Sequence, residues 1–150
     1  MTRAYVGLGA NLGDREATIR RAIDLLAEHV EVVAVSTLRE TEPWGYADQP
    51  SFLNAAVAVE TELGPRPLLG ALLEIEQALG RTRGGPRFGP RTIDLDLLVY
   101  GDEVLDEPGL TLPHPRLHER RFALEPLAEI DAGLVIPGRG PVLALLAGLE

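Results

Sequence analysis

Two aspartates one residue apart, preceded by a run of arginines, are the residues of this chain best suited to chemistry. Arg81, Arg83, Arg87 and Arg91 stand with no acid among them in a glycine-rich stretch, and Thr92-Ile93-Asp94-Leu95-Asp96-Leu97 follows at once. The alternation of polar and apolar residues predicts a half-buried strand. Side chains two apart on a strand share a face, so Asp94 and Asp96 point together, with Ile93, Leu95, Leu97 and Val99 turned to a core. Carboxylates about 7 Å apart along one strand face can converge on a pair of divalent cations. Hard oxygen donors in a chain without cysteine favour Mg²⁺ over zinc or copper. Guanidiniums on the neighbouring loop can close over phosphates, and Gly80, Gly84, Gly85 and Gly89 give that loop hinges. The combination points to phosphoryl-type transfer, in which positioning and charge neutralisation do most of the catalysis.

Other candidates are less specific. Residues 40–54 hold two prolines and three of the chain's seven aromatics, Trp44, Tyr46 and Phe52, as a ligand-lining loop or a surface loop pinned by its rings. His114 lies between Pro113 and Pro115, with Arg116, Arg120 and Arg121 close behind, which suits either a phosphate contact or a structural histidine. Gly9-Ala10-Asn11-Leu12-Gly13 precedes a helix and reads as a phosphate cradle or a plain turn; the full dinucleotide fingerprint is absent. Glu76, near the basic loop, is a ligand contact or a solvated helix acid.

The elements that must position these residues follow from periodicity. Tyr5 to Leu8 reads as a strand, and Asp14 caps a helix whose apolar residues are Ile19, Ala22, Ile23, Leu26 and Val30. Glu31 to Thr37 and Asn54 to Glu60 alternate as strands, and Pro65 opens a helix that ends at Leu79 before Gly80. Gly101-Asp102 reads as the turn of a hairpin joining the aspartate strand to a short strand at Glu103 to Leu105. Helices over Phe122 to Leu127 and Val142 to Leu149 close the chain, and 131–140 is rich in turns. The order β-α-β-β-α-β with a C-terminal helical extension predicts an α+β fold of the ferredoxin-like split βαβ type. Its antiparallel sheet has helices packed on one side, and its other face is free to carry a site.

A length of 150 residues with 45% hydrophobic content predicts one domain over 1–150 with a core of its own. With 14 basic and 23 acidic residues the net charge is -9, which opposes general binding to nucleic acid or an anionic membrane surface. All 14 cations are arginine, and a P-loop, which needs its lysine, is excluded. No stretch approaches the roughly 20 apolar residues of a membrane span, and the N-terminal apolar run is too short for a signal peptide, so the expectation is a cytoplasmic monomer.

Several motifs occur together and in order: Gly9-Ala10-Asn11-Leu12-Gly13-Asp14, Gln49-Pro50-Ser51-Phe52-Leu53-Asn54, Glu76 with Gly80-Arg81, Gly89-Pro90-Arg91-Thr92-Ile93-Asp94-Leu95-Asp96, and Leu112-Pro113-His114-Pro115 with Arg120 and Phe122. In these the chain resembles the 6-hydroxymethyl-7,8-dihydropterin pyrophosphokinases of folate biosynthesis from Tyr5 to about Leu127. The resemblance implies transfer of pyrophosphate from ATP to the hydroxymethyl group of the pterin, with release of AMP. It implies two Mg²⁺ ions on Asp94 and Asp96, and phosphate contacts from Arg81, Arg91, His114 and Arg120. Glu76, Leu97 and Thr111 match positions near the nucleotide, and Thr41, Pro43, Gly45, Phe52, Asn54 and Phe122 match the pterin pocket. Phe88 stands where the family usually has Trp in the mobile loop, which keeps stacking and loses the indole N–H.

Overall fold

The computed structural model describes residues 1–11, 13–41, 52–79 and 93–149. Strand β1 (Thr2–Ala10) leads to helix α1 (Arg15–Leu26), whose N-terminus is capped as expected by the Asp14 carboxylate accepting from the Ala17 N–H at 3.1 Å. Strands β2 (Glu31–Val35), β3 (Arg39–Thr41) and β4 (Phe52–Thr61) follow. Helix α2 (Pro65–Leu79) then returns the chain to strand β5 (Asp94–Tyr100). The principal strands run antiparallel in the order β2-β4-β1-β5, with β3 also paired to β4. This is the ferredoxin-like split βαβ arrangement, and it leaves β5 at one edge.

Period-2 alternation sorts the side chains. Val6, Leu8, Ala55, Val57, Leu95 and Leu97 face α1 and α2, where Ile19, Leu26, Leu68 and Leu72 are fully buried. Tyr5, Ala56, Ala58 and Leu98 face the other way into a second core. That core is supplied by the C-terminal extension: a single 3₁₀ turn at Leu117–Glu119, helix α3 (Arg121–Ile130) and helix α4 (Val142–Ala147). The sheet face expected to be open is therefore partly covered, because Leu117, Leu124, Leu127 and Val142 need apolar area of their own.

Other details depart from the sequence expectation. The turn at Gly101 does not close a hairpin on β5: β6 (Leu105–Glu107) pairs instead with β7 (Leu110–Leu112) across Pro108-Gly109, where Gly109 has φ +78°. β5 spends its hydrogen bonds on β1, and a register shift opposite Tyr5/Val6 inserts one extra residue between Leu97 and Val99. That bulge turns Val99 away from the α1/α2 core, where alternation had it, and puts Tyr100 there. The turn-rich 131–140 segment contains the small hairpin of β8 (Val135–Ile136) and β9 (Gly140–Pro141).

Candidate active site

The floor of the site is a patch of sheet in which three strands run side by side. In register, Asn54 of β4, Gly9 of β1 and Asp94 of β5 form one cross-strand row, and Ala56, Gly7 and Asp96 form the next. The two aspartates thus share a face, as their spacing predicts. Asn54 stands two strands away, about 10 Å at ordinary strand spacing. The glycines between them keep the floor clear. A Cβ on Gly9 would come within 2.9 Å of Asn54 Oδ1, and one on Gly7 within 3.2 Å of Leu98 Cδ1. Asn54 is buried, and its Nδ2 donates to Thr41 Oγ1 at 2.6 Å, which fixes the plane of the amide.

Above this floor lies a cavity of about 650 Å³. Thr41, Phe52 and Asn54 line it from β3 and β4, Asp94 and Asp96 from β5, and Phe122 from α3. Arg116, Arg120 and Arg121 line another side together with His114, Glu119 and Glu125, and the Arg120 guanidinium lies 5.6 Å from the centre of the Phe122 ring. A second cavity of about 290 Å³ is lined by Leu69, Leu95, Leu97, Leu110, Thr111 and Pro115. Leu95 and Leu97 belong to the face opposite the aspartates, so the two cavities lie on either side of β5 and meet around the edge of the sheet. Asp96 and His114 line both.

The sequence-predicted residues divide accordingly. Thr41, Phe52, Asn54, Phe122, Asp94 and Arg120 border the larger cavity, Leu97 and Thr111 the smaller one. Glu76 lines neither. It is 6% exposed, and its Oε2 accepts from the Leu95 N–H at 2.8 Å, so it is no solvated helix acid: it holds β5 between the two aspartates. Pro43, Gly45, Arg81 and Arg91 lie outside the described residues, as do Trp44 and Phe88.

His114 is anchored by its backbone N–H, which donates to Leu98 O at 2.9 Å, and its Nδ1 accepts from the Arg116 N–H at 3.3 Å. The neutral ring therefore carries its proton on Nε2. Burial lowers its pKa, the charge of Asp96 opposes that, and Arg120 and Arg116 add to the lowering. The result is a neutral donor at pH 7.

Sequence reasoning passed over Gly7 as a site residue, weighed Gly9 only as part of a phosphate cradle or turn, and passed over Glu119 and Glu125, which also border the larger cavity. The alternation Val6-Gly7-Leu8-Gly9-Ala10 carried a signal for the glycines, which occupy the face where a Cβ would crowd Asn54 and Leu98. Among the described residues no three His, Asp, Glu or Cys side chains gather as a metal site. Asp94 and Asp96 offer hard carboxylate oxygens on one face, a donor type that would suit a hard divalent cation such as Mg²⁺.

A model of the family described as 7,8-dihydro-6-hydroxymethylpterin-pyrophosphokinase matches residues 5–132. The chain is 51% identical over 129 residues to a 2-amino-4-hydroxy-6-hydroxymethyldihydropteridine pyrophosphokinase of Bacillus subtilis (strain 168), covering 85% of this chain and 77% of that protein. It is 44% identical over 147 residues to the protein of the same name from Pseudomonas aeruginosa, covering 97% and 90%. Among solved structures, an HPPK-DHPS in complex with substrates superposes with a TM-score of 0.78 at 13% identity, over 98% of this chain and 43% of that one. The wild-type HPPK-DHPS of Plasmodium falciparum gives 0.77 at 14% identity, over 98% and 44%. This chain thus spans less than half the length of those proteins, and at such identity the likeness speaks for the fold.

Proposed function

The chain belongs to the 7,8-dihydro-6-hydroxymethylpterin-pyrophosphokinase family, and we propose that its two cavities are the two halves of one transfer site. The reaction moves pyrophosphate from ATP to the hydroxymethyl group of 6-hydroxymethyl-7,8-dihydropterin in folate biosynthesis. The hydroxyl oxygen bonds to the β-phosphorus, the bridge from the β-phosphorus to the α-phosphate breaks, AMP leaves with the bridging oxygen, and the hydroxyl proton is lost.

The observation that carries the reading is the row Asn54–Gly9–Asp94. It sets an amide that can meet a pterin's donor–acceptor edge at one end of a clear floor and the carboxylate pair at the other. That span accommodates a flat bicyclic ring with one exocyclic carbon. Phe52 and Phe122 supply faces for stacking, and Thr41 holds the amide of Asn54; Pro43 and Gly45 complete the pterin pocket in this reading. ATP takes the cavity beyond β5, with Leu97 and Thr111 near the nucleotide and its phosphates directed to Asp96 and His114 at the junction. His114, uncharged, donates a hydrogen bond from Nε2, while Arg120, Arg81 and Arg91 supply the fixed positive charge. Glu76 acts through β5, keeping Asp94 and Asp96 in register. Two Mg²⁺ ions held by Asp94 and Asp96 would neutralise the triphosphate and lower the pKa of the pterin hydroxyl. No side chain of the larger cavity is assigned as general base. In the same reading residues 1–150 act as one domain, a cytoplasmic monomer that binds no nucleic acid. No helix of the described residues is long and apolar enough to cross a membrane.

The test is the nucleotide product. Protein incubated with ATP, Mg²⁺ and 6-hydroxymethyl-7,8-dihydropterin should yield AMP by anion-exchange chromatography and should stop when Mg²⁺ is chelated. ADP as product, or no turnover, overturns the reading. Asp96→Asn should lower kcat by roughly a hundred- to a thousandfold, the loss typical when an electrostatic group acting on transferred charge is removed. A near-normal rate would refute the metal assignment.

A further inference from the structure

One charged cluster borders the larger cavity without taking part in the chemistry proposed for it. Arg39 of β3 reaches across to α3, where Nη1 donates to Glu125 Oε2 at 3.1 Å and Nη2 donates to Glu129 Oε1 at 3.0 Å. Glu125 and Glu129 lie one helical turn apart, so a single planar guanidinium spans two successive turns of α3. Thr37 completes the clasp from the same side: its N–H donates to Glu129 Oε2 at 2.7 Å and its hydroxyl to Glu129 Oε1 at 2.8 Å. These bonds, the Thr37 amide foremost, hold the Glu129 carboxyl below the usual carboxylate range.

What the clasp joins matters more than its strength. Its ion pairs are more than a third exposed on the arginine side, and pairs of that kind add little to stability. Yet each end carries one wall of the cavity. Arg39 pairs in register with Asn54 and stands two residues before Thr41, whose hydroxyl holds the Asn54 amide; Thr41 in turn pairs with Phe52. Glu125 stands three residues after Phe122, on the same side of α3, and itself lines the cavity. Arg39 Nε is buried with no hydrogen-bond partner among the described residues.

We propose that Arg39, through Glu125 and Glu129, is a positioning residue that sets the separation of Phe122 from Phe52 and Thr41, and thereby the affinity for the flat substrate ring. The proposal rests on the pterin reading of this cavity. It concerns width, so it acts on the ring and not on the nucleotide across β5.

Arg39→Met keeps much of the side chain's bulk and removes the charge; Arg39→Lys keeps the charge but can serve only one carboxylate well. Binding of 6-hydroxymethyl-7,8-dihydropterin and of Mg²⁺ with a non-hydrolysable ATP analogue is measured by calorimetry, and amide exchange of Leu124 to Leu127 is followed in ligand-free protein. Arg39→Met should raise the pterin Kd about tenfold with the analogue's Kd changed less than about twofold. Exchange of the α3 amides should quicken several-fold, with Arg39→Lys intermediate in both. Glu125→Gln should reproduce the effect from the helix side and guards against a variant that fails to fold. Parallel weakening of both ligands, or α3 exchange unchanged in Arg39→Met, overturns the proposal. If wild-type protein makes no AMP, the functional reading falls and the pterin arm with it, while the exchange comparison still upholds or overturns the clasp.

Discussion

At the scale of single residues the decisive position is one without a side chain. Gly9 lies between Asn54 and Asp94, and a methyl there would press to 2.9 Å from Asn54 Oδ1. The amide cannot simply swing away, because it is buried and tied to Thr41 Oγ1. Gly9→Ala should therefore break that hydrogen bond or force the strand to shift, at a cost of about 1–3 kcal/mol in stability. It should also weaken pterin binding tenfold or more while sparing the ATP analogue, by calorimetric titration of each ligand. Unchanged pterin affinity in a folded Gly9→Ala protein would remove Asn54 from the pocket. Asp94 and Asp96 were legible in the sequence because strand periodicity is a local signal. Gly9 was visible only as part of a possible phosphate cradle or turn, since its need for emptiness comes from Asn54, 45 positions on. Glu76 was half legible: its nearness to the basic loop was visible, its burial against the Leu95 N–H was not.

At the scale of elements, the platform is β5 and what restrains it. An edge strand has one free side, and β5 meets this with β1 on its inner side, Glu76 against the Leu95 N–H, and the His114 N–H bonded to Leu98 O. Glu76→Ala leaves the buried Leu95 N–H without that acceptor, which costs about 1–3 kcal/mol. Glu76→Gln retains an acceptor oxygen and should cost less than about 1 kcal/mol. Urea unfolding midpoints check this order, and equal losses in the two variants would show that the carboxylate's charge, not its acceptor, is what β5 needs. The long helices and all four principal strands could be read from periodicity, as could the paired aspartates' shared face; only the short β3 at Arg39–Thr41 was not. The hairpin expected after β5 could not be judged locally: Gly101-Asp102 has the composition of a turn, but β5's partner is β1, some ninety residues earlier. The bulge that turns Val99 over is equally invisible to a strict period of two.

At the scale of the whole molecule, one sheet serves two cores, and the second decides whether the site has a roof. The order of strands and helices made the sheet and the two C-terminal helices legible, whereas their packing as a layer over the second face was not, because Leu124, Leu127 and Val142 meet Tyr5, Ala56 and Leu98, which lie far off in sequence. Besides the Arg39 clasp, that layer is tied down by Tyr5, whose hydroxyl donates to Asp131 Oδ2 at 2.5 Å from the centre of the sheet. Burial, and then the neighbouring Asp131 carboxylate, push the phenol up to about 12. The folded protein thus holds this proton where the unfolded chain, titrating near 10, gives it up. The stability it contributes is complete below pH 10 and is lost as pH rises from 10 to about 12. Tyr5→Phe has no such proton to lose. At pH 8 it should be less stable than wild type by about 1 kcal/mol, the net worth of one hydrogen bond. Between pH 10 and 12 wild type should fall toward the variant, and urea midpoints across that range measure the gap. A gap that stays constant to pH 12 would mean that the phenol is not held protonated by the fold, and that the C-terminal layer is fastened to the sheet by its apolar contacts and the Arg39 clasp instead.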